Sequence, residues 1–497
     1  MSDERSGREA EILRARRESR ERLGDRAFAL NLEQAIGVRE PVPTSAIRAE
    51  HRGLEPDSRT DDVRTVAGRV ILKRDMGKLA FLVLRDRTGD LQLVCNEDTE
   101  AESLALLRDV DLGDIVGATG RVGTTRRGEL SLFVERLAMM SKALRPLPEK
   151  WHGLKDPDLQ QRQRYLHLAT DLEYRRVVAA RADTLRAIRS YLDERGFVEV
   201  ETPVLQTVAG GAMARPFVTH HRDLDVDLYL RISLELFLKR LLVGGLERVY
   251  EIGRNFRNEG LGWKYNPEFT MLELYQAYAD YETMMAVSRD LVQASALAVG
   301  GSLLVTFRGH EIDLAGPWHR VTVLGGVSEA VGEEVALDRP DLADLARRFD
   351  VPVDPAWPPG KVVLELFEKL VEPELIQPTF VCDFPRDVSP LARPHRDDPG
   401  LTEHVDPVIG GMELGTAYSE LTDPDEQRAK FLLQQRAREA GEEETHPFDE
   451  DFLRALEHGM PPAGGLGIGI DRLLMLLLDA SSIREVILFP HHRPDGG

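Results

Sequence analysis

The stretch RNFRNEGLGWKYNPEFTMLELY, residues 254–275, decides how the rest of the chain is read. Its ends lie in two strand-like segments, RVYEIGRNFRNEG and EFTMLELYQAY, joined by residues that are polar or bear Gly and Pro. Side chains alternate along an extended strand, so Phe269, Met271, Glu273 and Tyr275 share one face. On the first strand Glu251, Asn255, Arg257 and Glu259 share a parity as well. A hairpin with these faces turned together is a platform with arginine at one end and a Glu/Tyr pair at the other. Guanidinium groups suit an anion, and a carboxylate beside a phenol suits a cation. Such a charged row among apolar residues is costly unless ligands or partners satisfy it. The pattern therefore predicts a binding site rather than a surface ladder of ion pairs.

Two further stretches carry chemistry. GGLGIGIDRLLMLLLD (464–479) lacks the glycine and lysine spacing of a phosphate loop, and it lacks a dinucleotide fingerprint. Its glycines alternate with Leu466, Ile468 and Ile470, which predicts a strand with one face stripped for close approach of something flat. Arg472 follows at the start of an apolar helix, where a helix N-terminus and a guanidinium together favour an anion. In HVDPVIGGMELGTAYSELTD (404–423), Asp406, Glu413 and Glu420 recur at equal spacing, with Gly410 and Gly411 between the first pair. Two carboxylates near a triphosphate are natural Mg²⁺ ligands, although any one acid alone reads as a solvated side chain.

Outward from these stretches the chain is ordinary in bulk. It has 497 residues, 42% of them hydrophobic and 30% charged, as in soluble proteins of two to four domains. A net charge of −21 argues against indiscriminate DNA binding but leaves room for a local basic patch. The apolar run Leu473 to Leu478 is far short of a membrane span, and the first residues contain no apolar core of a secretory signal. Two cysteines, Cys95 and Cys382, make no disulfide framework and read as core in a reducing cytoplasm. The adjacent histidines of PHHRP (490–494) read as a terminal strand pointing to opposite faces, not as a metal site.

Residues 1–61 mix Arg and Glu and predict a charged, solvated helical extension with a loose tail. Residues 62–146 contain five short β-branched or alternating segments with turns at RDRTGD and TTRRGE. That pattern fits a small barrel such as an OB-fold, with Arg74, Lys78, Phe81 and Gln92 as candidate nucleic-acid contacts. On these residues alone Phe81 reads as core. Residues 147–170 read as a polar linker. From 171 to 497 strands and helices mix, with a helix over about 171–195 stopped by Gly196, and with an insertion or long crossover over about 300–378.

GFVEVETPVLQ, GGAMARPFVTHH, LYLRISLELFLKRLLVGGLERVYEIGRNFRNEG, NPEFTMLELYQAYADY and GLGIGIDRLLMLLLDASSIREVILFPHHRP, in this order, resemble class II lysyl-tRNA synthetases from about residue 62 to the end. The resemblance implies an α+β architecture. An N-terminal OB-fold barrel reads the anticodon of tRNA(Lys), and a class II catalytic domain is built on an antiparallel β-sheet with flanking helices. It implies that lysine and ATP give lysyl-adenylate, and that the tRNA 3′ end then takes the lysyl group. By motif match Arg257 holds the α-phosphate and the attacking carboxylate, Glu259 and Asn266 contact the nucleotide, Phe269 stacks on adenine and Arg472 meets the γ-phosphate. Asp406 and Glu413 match the Mg²⁺ acids, Glu413 also bordering ATP, and Asp406 stands where the family commonly has Glu.

Lysine is assigned to Gly211, Glu235, Glu273, Tyr275, Thr416, Tyr418 and Glu420. Carboxylates and a phenol suit an ammonium with three donors, and leaving them unpaired penalises any other side chain. Arg74, Phe81, Gln92 and Glu135 match anticodon contacts, which turns Phe81 from core into a base-stacker. The segment containing Gly196 and Pro203 is where the family forms its homodimer. Two departures stand out: Thr416 replaces the usual Asn, and Tyr265 the usual His. GTAYSELTDP and SPLARPHRDDPG resemble the branch also found fused to a membrane lysyl-phosphatidylglycerol synthase, though this chain has no membrane part. Three functions stay open: a lysine–tRNA ligase, a paralogue supplying activated lysine or an analogue to a specialised pathway such as lipid lysinylation, and a silent lysine or tRNA sensor. The last would be expected to lose Arg257, Arg472 or the metal acids.

Overall fold

The strands of the first half close on themselves. In the computed structural model, which describes residues 2–77, 79–148, 154, 156–439 and 445–493, the chain divides into two units, residues 1–172 and 173–497. Lys78 and residues 149–153, 155 and 494–497 of the sequence readings lie outside the described residues. Among the described residues no helix is long and apolar enough to cross a membrane.

In the first unit β1 (Arg59–Asp75), β2 (Ala80–Arg85), β3 (Asp90–Cys95), β4 (Ile115–Thr124) and β5 (Leu130–Ser141) form a closed barrel in the order β1-β2-β3-β5-β4. Closure leaves no exposed strand edge. Alternation sends Leu82, Leu84, Leu91, Leu93, Leu132 and Val134 into its core. β1 begins three residues before the barrel start read from the sequence. The N-terminal extension is not a loose tail: Leu23, Ala27 and Ile47 join the barrel core. Arg16, at the buried side of the helix Ser2–Leu23, donates to the carbonyls of Ala143 and Leu112 at 3.0 and 2.8 Å. The stretch read as a linker carries two short helices, Pro157–Arg162 and Arg164–Thr170.

The second unit is built on an eight-stranded sheet. Its strands are β6 (Val198–Glu199), β10 (Arg248–Phe256), β11 (Glu268–Ala277), β14 (His319–Thr322), β15 (Thr379–Pro385), β16 (Leu401–Val408), β17 (Gly415–Ser419) and β18 (Ala463–Gly469). They lie in the order β14-β15-β16-β17-β18-β11-β10-β6. β7 (Leu205–Gln206), β8 (Val218–His221) and β9 (Val226–Leu230) form a small separate sheet, and β12 (Leu304–Phe307) with β13 (His310–Asp313) a hairpin. The inner strands pair antiparallel as expected, but both edge pairs, β14 with β15 and β6 with β10, are parallel. A parallel pair needs a long crossover. Residues between β14 and β15 supply one through the helices Val323–Val331, Leu342–Arg348 and Pro359–Leu370. That crossover shares its core with Val381 and Phe384 of β15, so the chain takes the crossover rather than a separate insertion.

The two faces of the large sheet divide the labour. Leu272, Leu274, Leu466, Ile468, Ala417 and Val405 point into one core with the helix Tyr281–Gly300. Their alternates point to the other face, and that face carries the site.

Candidate functional site

Register explains the site. β18 runs between β11 and β17, and Gly465 stands between Tyr275 and Tyr418, while Gly467 stands between Glu273 and Thr416. Each functional pair thus flanks a residue with no side chain. A Cβ at Gly465 would fall on Glu420 Oε1 and 2.5 Å from Tyr275 Cε1, and one at Gly467 would lie 3.1 Å from Met271 Cε. The alternating glycines are therefore the floor of a cavity of about 400 Å³. Cavities of this size hold small-molecule substrates.

The cavity gathers almost every residue assigned from the sequence. Gly211, Glu235, Arg257, Glu259, Asn266, Phe269, Glu273, Tyr275, Asp406, Glu413, Thr416, Tyr418 and Arg472 line it, with Tyr265. Glu420 is fully buried and does not itself line it, but its Oε1 stands against Gly465 on the same face of the strand as Tyr275. One geometric expectation changes. β10 ends at Phe256, so Arg257 and Glu259 belong to the loop, and strand parity does not place them. Glu251, on the same parity, serves the fold instead: its Oε1 accepts from Arg231 at 2.6 Å and its Oε2 from the Thr202 N–H and hydroxyl.

At the anionic end Arg257 lies with its guanidinium 5.1 Å from the Phe269 ring centre, and burial pulls its pKa below the usual value, with Glu259 opposing. Arg472, in the first turn of the helix Ile470–Leu477, donates to the Glu413 carbonyl at 2.9 Å and lies 3.2 Å from Glu413 Oε1. It also sits 5.3 Å from the Tyr265 ring centre. Asn266 is buried and donates to the Glu268 carbonyl at 2.5 Å. Burial raises the Glu413 carboxyl, Arg472 lowers it and Asp406 raises it. Two oxygen-donor acids facing one cavity suit Mg²⁺, which takes few protein ligands and keeps waters and phosphate oxygens.

At the cationic end Glu273 accepts from the Ser233 hydroxyl at 2.9 Å, the Leu234 N–H at 3.0 Å and the Tyr275 hydroxyl at 3.2 Å. Burial nevertheless pushes its carboxyl up to about 7, and that of Glu420 up to about 8 against the pull of Lys239. Both acids sit where an arriving ammonium would pull them back to the charged form. Thr416 Oγ1 is 2.8 Å from His404 Nε2, which also meets Asp406 Oδ1 at 2.9 Å. His404 stacks on Phe384 with ring centres 3.7 Å apart.

Several residues here were not singled out in the sequence. Ser233 binds Glu273; Asp471 and Arg181 tie the glycine strand's helix to β11; His446 accepts the Gly211 N–H at 2.7 Å. Lys239 lies one helical turn after Glu235, which was the available signal for their pairing. The PHHRP histidines do not lie on a strand. Among the described residues, the three-ligand cluster Glu50, His51 and Asp62 already contains Arg64, which pairs with both acids.

On the barrel, β1 pairs Arg74 with Phe81, β2 pairs Phe81 with Val94 and Val83 with Gln92, and β3 pairs Val94 with Phe133. Alternation then puts Arg74, Phe81, Gln92, Phe133 and Glu135 on the outer face. Phe81 is half-buried rather than core, and Arg74 is exposed. Gln92 donates to the Ser131 hydroxyl at 2.9 Å, Glu135 accepts from Arg121 at 3.1 Å, and Arg59 covers the Phe133 ring at 3.0 Å.

An antiparallel-cored sheet with a glycine floor, an arginine at each end of the anionic half and an OB-type barrel before it define a class of tRNA synthetase. Residues 156–493 match the family described as tRNA synthetases class II (D, K and N), and residues 65–139 match the OB-fold nucleic acid binding domain. The chain belongs to this class II family. Within it, the chain is 52% identical over 456 residues to a lysine–tRNA ligase of Moorella thermoacetica, covering 91% of this chain and 92% of that one. It is 47% identical over 503 residues to one of Pelotomaculum thermopropionicum (99% and 97%) and 50% over 454 residues to one of Synechococcus (90% and 93%).

Proposed function

We propose that the chain is a lysine–tRNA ligase working at this cavity, with ATP at the Arg257–Arg472 half and the lysine side chain at the Glu273–Tyr275–Glu420 half. The observation that carries the reading is the glycine floor, which sets Glu273 and Tyr275 opposite Thr416 and Tyr418, with Glu420 Oε1 beside Gly465 on the same face. No side chain is needed as nucleophile. A lysine carboxylate oxygen attacks the α-phosphorus, the bond to pyrophosphate breaks, and the tRNA 3′ hydroxyl then takes the lysyl group with AMP leaving. The protein's contribution is positioning and charge stabilisation. Arg257 offers a guanidinium where carboxylate and α-phosphate meet, Arg472 one for the terminal phosphate, and Phe269 a ring for the base. Asp406 and Glu413 would hold Mg²⁺, which when bound neutralises phosphate charge. The silent-sensor alternative loses ground because Arg257, Arg472, Asp406 and Glu413 all line one cavity.

The barrel's outer face, with Phe81 and Phe133 interleaved with Arg59, Arg74 and Gln92, suits unpaired anticodon bases. A homodimer is supported by the apolar exposure of Val198, Leu205, Val218 and Val226 on β6 and the small sheet, 50, 48, 62 and 41%. A cytoplasmic location fits the two buried free cysteines and the substrates. The decisive test is aminoacylation of purified lysine tRNA with each of the twenty amino acids and a few lysine analogues. Charging with lysine supports the reading; adenylate without charging of any tRNA would shift it to the specialised paralogue.

A further inference from the structure

Two of the acids assigned to the substrate already hold an ammonium that belongs to the chain. Lys239 is wholly inaccessible, with Nζ 2.5 Å from Glu235 Oε1 and in contact with Glu420 Oε2. Its helix, Glu235–Val243, packs its apolar residues Leu236, Leu238 and Leu242 into a core, so an apolar side chain would meet any purely structural need at position 239. What the clamp leaves over points to a ligand. Glu420 Oε1 is buried without a hydrogen-bond partner. Glu273, by contrast, has both oxygens engaged by Ser233, Leu234 and Tyr275.

We propose that Lys239 is a positioning residue for substrate recognition: its ammonium clamps Glu235 and Glu420 together so that one oxygen of each remains for the nitrogens of the substrate. This rests on the lysine-pocket reading above. Three buried acids converging without a cation would repel one another, and at least one would take a proton. With Lys239 in place and the three carboxyls ionised, as an arriving ammonium favours, one positive stands against three negative charges, so the set attracts a second ammonium and gives an uncharged side chain nothing to replace it.

The groups facing this clamp come from several elements. They are Glu235 on the same helix, Glu420 beyond β17, Glu273 and Tyr275 on β11, and His446 and Lys430 from the segment behind. Burial disfavours the Lys239 ammonium, yet Glu235 and Glu420 hold its pKa above the usual value. His446 is pulled down to about 4 by burial and stays neutral. Burial likewise pulls Lys430 to about 8. Lys430 stays charged at neutral pH but donates to the carbonyls of Ser389 and Ala392 rather than to these acids.

The test uses the full chain in ATP–pyrophosphate exchange, comparing K239M, K239Q and E420Q with the parent across pH. K239M is expected to raise the KM for lysine at least about tenfold near neutral pH, with kcat at saturating lysine within about threefold. The pH below which that KM climbs should move up by about one unit. K239Q keeps hydrogen-bond donors without charge and should show the same KM rise, including where K239M does not fold. A lysine KM within about twofold of the parent in either folded variant overturns the inference, as does a parallel loss in the ATP KM and kcat. E420Q separates the two levels. If E420Q leaves the lysine KM unchanged, the pocket reading itself fails; if E420Q raises it and the Lys239 variants do not, only the clamp fails.

Discussion

Asp471 Oδ2 accepts the backbone N–H of Thr270 at 2.7 Å, tying the residue before Arg472 to the strand that carries Phe269 and Glu273. The other oxygen, Oδ1, receives Arg181 Nη1 at 2.6 Å, and Arg181 Nη2 donates to the Thr270 hydroxyl at 2.7 Å. Asp471 is buried and Arg181 partly so. The strand that carries Phe269 and the helix that carries Arg472 are therefore held together by one buried carboxylate.

Asp471→Asn should consequently lose both stability and activity. Breaking a largely buried ion pair costs about 2–4 kcal/mol here, below the fully buried case because Arg181 keeps some solvent access. Thermal unfolding should fall by several degrees, and pyrophosphate exchange should drop with the ATP KM raised. An unchanged melting temperature would show that the tie carries no load.

Lysine affinity should depend on pH through Glu273 and Glu420. Burial raises both carboxyls, to about 7 and about 8, so each is neutral below that value and offers an ammonium no charge. Binding is then strongest above about pH 8 and weakens as pH falls through 8 and 7. Calorimetry near pH 7 should detect protons released as lysine binds. Heats identical in buffers of different ionisation enthalpy would count against this.

Gly465→Ala tests the floor. The added Cβ would land on Glu420 Oε1 and crowd Tyr275. Overpacking of this kind costs about 1–3 kcal/mol, and the lysine KM should rise about tenfold or more while the ATP KM stays near its parent value. Equal losses for both substrates would mean that the floor is shared rather than belonging to the lysine half.

Thr416→Asn asks what the departure at position 416 does. Thr416 offers one hydroxyl, already 2.8 Å from His404 Nε2, where an amide would offer both donor and acceptor. The substitution should lower the lysine KM several-fold, by about one added hydrogen bond, and narrow the tolerance for lysine analogues. A higher KM with unchanged analogue discrimination would show that Thr416 and His404 work as a matched pair.

Phe81→Ala should leave lysine-dependent pyrophosphate exchange unchanged and weaken tRNA. One stacked base is worth about 1–3 kcal/mol, or about ten- to a hundredfold in the tRNA KM. Normal charging of lysine tRNA would return Phe81 to an ordinary half-buried position on the barrel.

Much of the site was legible because its signals are local. Alternation along β11 put Phe269, Met271, Glu273 and Tyr275 on one face, and alternation in GLGIGI announced a bare strand; both rest on the two-residue period of a strand, which needs no tertiary partner. Parity does not place Arg257 and Glu259, because the strand ends at Phe256 and a loop has no period to extrapolate. Glu251 obeyed the pattern and still serves the fold, because Arg231 arrives from a distant segment to claim it.

The chain itself thus determined the barrel's strand texture, the glycine floor and the identity of the charged groups, since each is written in short-range period and composition, while the class II architecture came through the resemblance of its motifs. Tertiary structure alone decided which acids remain for a substrate. Glu235 and Glu420 look alike as sequence, but only the fold brings Lys239 between them, and a charge in a buried pocket is defined by what sits within a few ångströms of it.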